Sequence, residues 1–438
     1  MAVNHHWGAK MTVATESSAP KTEQFKFFGK AGEFFGIWFV NNMLMMITLG
    51  FYSPWAKIRT LQYFYGNTEL AGSSFQFTAN PWALLRTRVI AVLLLILYLV
   101  SDFLNTTMAA IVFASFIIGY FVFAPILLVF MLSFRTRYSV WRGVSFRFVK
   151  DYAGAYRVYL APMSVLFLLM ASLALPFNSE EVEQTLGLPH YEWPVDEETE
   201  TNDAEYYEED ITPQEEYEDL LTEEELELLG EMEEEEDLYI NPYLFIPFGV
   251  LLLIYCALLP YFDFISNRFI VRNSRFGNGA FSFSATVGDF YRLYGKWFAA
   301  TAVLVLIWVA AMIAGDKDIA FFPILMLLTI VFVGGTRAYF QSRRTNILLQ
   351  STRLAQHHQL AGYIPFRGLF WLMVSNNFMV AITLGLMGPW AKVRTARFML
   401  ERIQLVSEES LDGFVEQQSN EASSLAEEVA DVFDLDLV

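Results

Sequence analysis

Six long apolar runs constrain the fold more than any other feature of this 438-residue chain. Each is about 20 residues long, enough helix to cross a hydrocarbon core roughly 30 Å thick. Charged residues make up only 18% of the chain, against about a quarter in soluble domains. The pattern predicts an all-α polytopic membrane protein with six transmembrane helices, at residues 87–104, 108–133, 156–177, 242–265, 296–314 and 319–340.

Two further apolar segments, 33–55 and 366–390, are copies of each other. An offset of 335 positions gives 12 identities over residues 41–60, among them an Asn pair and the runs Ile-Thr-Leu-Gly and Pro-Trp-Ala-Lys. The central Asn pairs suit a re-entrant segment, whose tip needs polar groups to satisfy freed backbone. We predict that these two segments are re-entrant or interfacial, with full spans as the alternative.

An alternating Phe-x-Phe pair recurs at 25–27, 75–77, 146–148 and 281–283. In the last three copies an arginine follows nine positions after the second Phe, at Arg86, Arg157 and Arg292. Short β-prone stretches with glycine turns lead into these three pairs. We therefore expect small cytoplasmic β-hairpins, each followed by a transmembrane helix, as the units of an internal repeat.

The basic residues predict the orientation, because Lys and Arg concentrate on the cytoplasmic side of membrane proteins. If 33–55 and 366–390 are re-entrant, 28 of the 29 basic residues share one face and only Lys317 lies on the other. If both span, the division is 20 to 9. Residues 180–237 hold 27 acidic residues and no basic one, and both arrangements place them outside the cytoplasm.

These features predict five regions along the chain. They are a polar N-terminal tail (1–24), a first membrane half (25–177), an acidic periplasmic loop (178–240), a second membrane half (241–405) and an acidic cytoplasmic tail (406–438).

The repeated Asn-Asn, Ile-Thr-Leu-Gly and Pro-Trp-Ala-Lys-x-Arg-Thr residues, with Phe-x-Phe hairpins and apolar spans between them, resemble the YjgN family of bacterial inner-membrane proteins. The resemblance covers residues 23–405 and is most specific at 54–57 and 389–392. It implies a multi-pass protein of the inner (plasma) membrane. The family has no established function, so the resemblance supplies no substrate and no catalytic residue. The acidic insertion at 178–240 departs from the family pattern.

Three groups of residues are candidates for function. The amides predicted either to join helices or to line a permeation path are Asn41, Asn42, Asn376 and Asn377. The bases predicted to contact lipid headgroups or a small anion are Lys57, Arg59, Arg86, Arg157, Arg292, Lys392 and Arg394. Ion pairs with Asp263 and Asp289 are the structural alternative for the arginines. The predicted interfacial anchors are Pro54, Trp55, Pro389 and Trp390.

No motif indicates catalysis. The five histidines and the single cysteine lack metal-ligand spacing, and there is no nucleophile elbow, P-loop or dinucleotide fingerprint. We therefore expect no enzyme activity, metal, cofactor or nucleic-acid partner, and the oligomeric state is left open. The leading hypothesis is a transporter or channel for a small solute or ion, because repeated broken segments are typical of such proteins. The alternative is a non-transporting protein that organises lipid or supports envelope integrity.

Overall fold

A computed structural model of the protein describes residues 20–101, 106–174, 243, 245–313 and 321–420. The acidic region 178–240 lies outside the described residues, as do most of the N-terminal tail and residues 421–438. Contacts divide the chain into two units, one formed by Met1–Leu160 with Leu259–Val438 and the other by Ala161–Leu258. In the second unit, residues 161–174 and 245–258 are helical.

Helices account for most of the described chain. Six of them are long and apolar enough to cross a membrane, as predicted. These six are α3 (Pro81–Ser101), α4 (Thr106–Arg137), α5 (Tyr152–Ala174), α6 (Phe245–Asn273), α7 (Val287–Ile313) and α8 (Phe321–Ser351). Four shorter helices lie in and directly after the duplicated segments: α1 (Ala31–Ile47), α2 (Ser53–Gly66), α9 (Phe366–Ile382) and α10 (Gly388–Leu400). A further helix, α11, covers residues 411–420.

All the described strands belong to one antiparallel sheet of 11 strands, in the order β1-β11-β10-β9-β8-β7-β6-β5-β4-β3-β2. The strands are β1 (Lys21–Gln24), β2 (Lys26–Phe27), β3 (Thr68–Leu70), β4 (Ser73–Phe77), β5 (Ser139–Trp141), β6 (Val144–Phe148), β7 (Ser274–Phe276), β8 (Gly279–Phe283), β9 (Thr352–Leu354), β10 (His358–Gly362) and β11 (Ile403–Ser407). The two ends of the order, β1 and β2, are separated in the chain by Phe25 alone, whose N–H donates to the carbonyl oxygen of Ile403 at 3.1 Å. The sheet therefore closes on itself as a barrel-like ring.

This ring corrects the expectation of an all-α protein with separate small hairpins. The hairpins over 68–77, 139–148 and 274–283 exist, but each pairs edge to edge with its neighbours. A fourth hairpin, β9–β10, completes the ring together with β11, which pairs with β10 on one side and with β1 on the other. An isolated two-stranded hairpin is marginally stable and has unpaired edges, and closure removes both problems.

One connection recurs around the ring: a pair of helices leaves one strand and returns to the strand beside it. Thus α1 and α2 connect β2 to β3, and α9 and α10 connect β10 to β11. The pairs α3–α4 and α7–α8 connect β4 to β5 and β8 to β9 in the same way, and α5 leaves β6 while α6 returns to β7. Because tight hairpin turns alternate with these connections, the helices all extend from the same end of the ring.

The Phe-x-Phe pairs fill the ring. Side chains two positions apart on a strand point to the same face, and both phenylalanines of each pair are buried or packed in the core. The first phenylalanine of each pair packs in one aromatic core together with Trp141 and Phe276. These first phenylalanines are Phe25, Phe75, Phe146 and Phe281. The second packs where strands meet helices, at Phe27, Phe77, Phe148 and Phe283.

Helix α11 covers the ring at the end that carries the hairpin turns. Leu411, Phe414 and Val415 join the aromatic core. The side-chain oxygen of Gln418 accepts hydrogen bonds from the backbone N–H groups of Asn278 at 2.6 Å and Gly279 at 3.0 Å. The first part of the predicted C-terminal tail is therefore docked on its own barrel. The domain boundaries drawn from the sequence otherwise stay a prediction.

Candidate functional site

Asn41 and Asn376 occupy matching places inside the two short helix pairs. Both are buried, with 3% and 5% of their surfaces exposed. The Asn41 amide nitrogen donates to the carbonyl oxygen of Ala56 at 3.5 Å, and that of Asn376 donates to Ala391 at 3.3 Å. Each bond joins the first helix of a pair to the second. In the described structure these two amides therefore act as helix-to-helix contacts.

The second asparagine of each pair lies in a different environment. Asn42 is half-buried and donates to the Trp38 carbonyl oxygen one turn earlier, at 2.7 Å. Asn377 is exposed and lines a cleft beside α9. Neither joins two helices, so the four asparagines do not form one polar cluster.

The two copies differ in the contacts of the arginine that lies two positions after each Pro-Trp-Ala-Lys run. Arg394 donates to the Asn376 side-chain oxygen at 3.0 Å and to the Ser375 hydroxyl at 2.6 Å. Its guanidinium also lies 5.0 Å from the Trp390 ring. Arg59 instead lies over the Tyr52 ring at 5.9 Å. The buried side-chain oxygen of Asn41 therefore has no hydrogen-bond partner among the described residues.

The Pro-Trp pairs begin the returning helices. Pro54 and Pro389 are buried in the first turn of α2 and α10, where a residue without an N–H group costs no hydrogen bond. Trp55 packs against Tyr52 and meets Trp82 of α3 edge to face, with centroids 5.3 Å apart. The prolines and indoles thus fix how each helix starts, and their location at a membrane interface stays a prediction.

Lys392 lines a cleft of about 620 Å³ between α8, α9 and α10. The polar groups around this cleft are Arg337, Gln341, Asn376, Asn377, Lys392 and Thr395. Lys392 and Arg337 form no ion pair with the described carboxylates. The cleft therefore carries an excess of positive charge. Sequence reasoning identified Lys392 and the asparagines but missed Arg337, which only helix packing brings to them.

The three repeat-related arginines do not converge. Arg86 and Arg157 are exposed on α3 and α5, and Arg157 contacts only the Ala153 carbonyl of its own helix, at 3.4 Å, among the described groups. Arg292 pairs with Asp289 at 2.9 Å. Lys57 is exposed on α2. The hypothesis that these arginines share one substrate therefore finds no geometric support in the described residues.

A partly buried ion pair involves a residue that sequence reasoning did not select. Arg344 of α8 contacts Asp263 of α6 at 2.6 Å, and the Asp263 side chain is 9% exposed. The amide of Asn267 donates to Asp263 at 2.8 Å, and the Tyr294 hydroxyl donates to it at 3.3 Å. Asp263 therefore joins three helices. No periodic signal in the sequence relates Arg344 to Asp263, since 81 positions separate them.

Comparison with known proteins supports the sequence interpretation. A 75-residue stretch is 40% identical to the inner membrane protein YjgN of Salmonella typhimurium, covering 17% of this chain and 18% of that protein. YjgN of Escherichia coli K12 is 38% identical over 65 residues, or 15% of this chain and 16% of that protein. The matched stretch thus spans less than a fifth of these curated relatives. No solved structure matches the chain.

The family comparison reaches much further along the chain. A family model described as bacterial protein of unknown function (DUF898) matches residues 22–190 and 230–432. These ranges contain the described strands of the ring apart from the first residue of β1, and all the described helices. The chain belongs to the DUF898 family of bacterial proteins of unknown function, to which the YjgN inner membrane proteins are related.

Proposed function

We propose that this protein is a non-enzymatic, multi-pass protein of the bacterial inner membrane that binds and organises lipid. One observation carries the proposal. Every residue of α3 from 86 to 100 is exposed, over more than four helical turns. A helix of 3.6 residues per turn with no buried face has little protein around it. In a membrane, most of its apolar surface contacts acyl chains, and Tyr98 meets Phe116 of α4 edge to face at 5.6 Å.

The positions of the basic residues support an orientation with the ring in the cytoplasm. The helices extend from one end of the ring, and the basic residues of the described loops and strands lie at or near that ring. The positive-inside rule then assigns this side to the cytoplasm. Since α5 leads away from the ring and α6 returns to it, residues 178–240 lie in the periplasm under this proposal.

The lengths of the short helices support a re-entrant arrangement. Helix α2 has 14 residues and α10 has 13, whereas α4 has 32. At 1.5 Å per residue these correspond to about 20 Å against ~48 Å. All three helices end next to a strand of the ring, so α2 and α10 reach roughly 28 Å less far from it than α4 does. The side chains at the turns, Leu49 and Leu384, are 96% and 95% exposed, as suits insertion into hydrocarbon.

Re-entrant pairs of this kind perturb the leaflet around them. Under the proposal, α1–α2 and α9–α10 occupy the cytoplasmic half of the bilayer and leave the other half to lipid. The two pairs lie next to each other, because α1 packs against α10 through Phe34 and Val393. The internal repeat, in this view, places two membrane-inserted wedges side by side.

Transport of a small solute or ion is the second candidate. The cleft between α8, α9 and α10 favours it, because amide, hydroxyl and cationic groups surround a volume of about 620 Å³. Transport is ranked second because α3 from 87 to 100 contains no charged group except Arg88 and is exposed throughout, which suits contact with acyl chains.

Two measurements test the proposal. Extraction of the full chain into native polymer nanodiscs, followed by quantitative lipid mass spectrometry, should show enrichment of specific phospholipids over the bulk membrane. A lipid composition equal to that of empty-membrane nanodiscs would contradict lipid organisation. Flux of a small anion into proteoliposomes that disappears with Lys392→Gln, while Lys57→Gln leaves it unchanged, would favour transport instead.

The topology has its own test. Single cysteines at positions 30 and 66 should both react with a membrane-impermeant thiol reagent only after the cells are opened, and a cysteine at position 49 should not react from either side. The natural Cys256 is replaced by serine in these variants. Reaction of position 30 in intact cells would exclude the re-entrant arrangement.

A further inference from the structure

Two adjoining cavities lie between α7 and α8 at the ends nearest the ring. The first has a volume of about 290 Å³ and the second about 250 Å³. Both are lined by Lys296 and Tyr339, so the two form one continuous groove. Its chemistry changes along its length.

The first cavity is cationic. Arg292 and Lys296 lie one turn apart on α7, and Arg343 faces them from α8. Among the described residues that line it, the one carboxylate is Asp289, which pairs with Arg292 at 2.9 Å. Lys296 and Arg343 form no ion pair with described carboxylates. The lining therefore carries three positive charges against one negative, and Arg and Lys form strong charge-assisted hydrogen bonds to phosphate.

The second cavity is apolar. It continues one helical turn along α7 to Ala300, and Gly335 of α8 faces it with Phe332 and Phe370. Ala300 is small and exposed on the α7 side, and the Phe370 ring lies against Gly335 on the α8 side. The polar groups of Trp297 and Thr336 are bonded to each other, with the indole N–H donating to the hydroxyl at 3.2 Å. The Tyr339 hydroxyl donates to the Leu293 carbonyl oxygen at 2.9 Å, so Lys296, which this cavity shares with the first, is the polar lining side chain left to meet a ligand.

We propose that this groove binds one anionic phospholipid, with its phosphate against Lys296 and Arg343 and one acyl chain along Ala300 and Gly335. A free phosphate ion would use only the first cavity. The apolar continuation directly beside the cations is what selects a lipid. Trp297 adjoins Lys296 in sequence, as expected at the headgroup level of a membrane. The inference rests on the proposed lipid-binding function and names its ligand class and one site.

The test uses the full chain in detergent micelles, titrated with phosphatidylglycerol or phosphatidylcholine of equal chain length. Bound lipid is counted by native mass spectrometry. We expect phosphatidylglycerol to bind at least about tenfold more tightly, and the double variant Lys296→Gln/Arg343→Gln to lose that preference, since each charge-assisted bond contributes about tenfold or more. The matched control, Arg147→Gln/Arg353→Gln, removes the same charge from exposed positions on strands β6 and β9, outside the groove. It should stay within about twofold of the wild type.

A second variant, Ala300→Leu, fills the apolar part without changing charge and should weaken both lipids. Inorganic phosphate at the lipid concentration should not displace phosphatidylglycerol; displacement would overturn the lipid assignment in favour of a free-anion site. Equal losses in the double variant and its control would overturn the site and leave diffuse lipid binding intact. The proposed function fails separately, if nanodiscs of the wild type show no lipid enrichment. Thermal unfolding of each variant establishes that it is folded.

Discussion

The imidazole ring of His358 in β10 lies against the phenyl ring of Phe414 in α11, with centroids 4.6 Å apart. Its Nδ1 is 3.0 Å from the Ser407 hydroxyl, and its buried Nε2 has no hydrogen-bond partner among the described residues. Burial lowers the pKa of His358 below its ordinary value of 6.5. Glu409 and Glu408 act in the opposite direction, and His357 lowers the pKa further.

The first prediction is that acidification loosens α11 from the ring. Because docked α11 helps to bury His358 through Phe414, we expect the His358 pKa to be lower in the docked state than in the released state, so the docked state binds fewer protons below about pH 6.5. Docking should therefore weaken as pH falls from this value, by at most about tenfold per pH unit for a single proton. Hydrogen exchange of α11 at pH 7.5 and 5.5 measures the change. His358→Phe should abolish it and His357→Gln should preserve it; an unchanged response in His358→Phe would refute the assignment.

The second prediction concerns the two buried asparagines. Asn376→Leu should lower the free energy of unfolding by about 2 kcal/mol, because it removes one of the two described side-chain acceptors of Arg394 and also breaks two hydrogen bonds donated by the amide. Asn41→Leu should cost roughly 0.5 kcal/mol, since Asn41 makes one long bond and its oxygen is already unpaired. Unfolding in mixed detergent micelles measures both. Equal losses would show that the two copies are energetically equivalent.

The third prediction concerns the partly buried ion pair between Arg344 and Asp263. Arg344→Gln should lower the free energy of unfolding by about 2 kcal/mol, less than for a fully buried pair, because the Asp263 carboxylate is buried but the Arg344 side chain is 44% exposed. Arg292→Gln removes an ion pair whose arginine is largely exposed, and should cost less than about 0.5 kcal/mol. The exchange variant Asp263→Arg/Arg344→Asp should recover part of the loss. If the single variants Arg344→Gln and Arg292→Gln unfold at the same detergent concentration, the pair is not structural.

The fourth prediction concerns closure of the ring at Gly362. Its φ of +142° is a backbone conformation that glycine adopts readily and residues with a side chain rarely do. A Cβ atom there would lie 2.2 Å from the Arg402 carbonyl oxygen. Gly362→Ala should therefore destabilise the fold by roughly 3 kcal/mol or more, through strain and separation of β10 from β11. Gly66→Ala, in an open helical position, should be neutral or stabilising by up to about 1 kcal/mol. Melting temperatures that fall equally would contradict this account.

Local patterns predicted much of the fold. The six spans follow from length and apolarity alone, because a membrane helix satisfies its own backbone hydrogen bonds. The hairpins at Gly72 and Gly143 follow from turn chemistry, since φ is positive at both turn residues of each. The pairing of α1 with α2 through Asn41 and of α9 with α10 through Asn376 matches the duplication visible in the sequence.

The sequence by itself indicated the six apolar spans, the glycine turns of three hairpins and the common spacing of Phe25, Phe75, Phe146 and Phe281. Only the tertiary structure decided that the hairpins join into one ring, because Phe25 and Ile403 meet across 378 residues of chain. It also decided that Lys296 faces Arg343, and Arg344 faces Asp263, from different helices. Periodicity specifies the face of a single element, whereas the partner of that face depends on the packing of elements far apart in the chain.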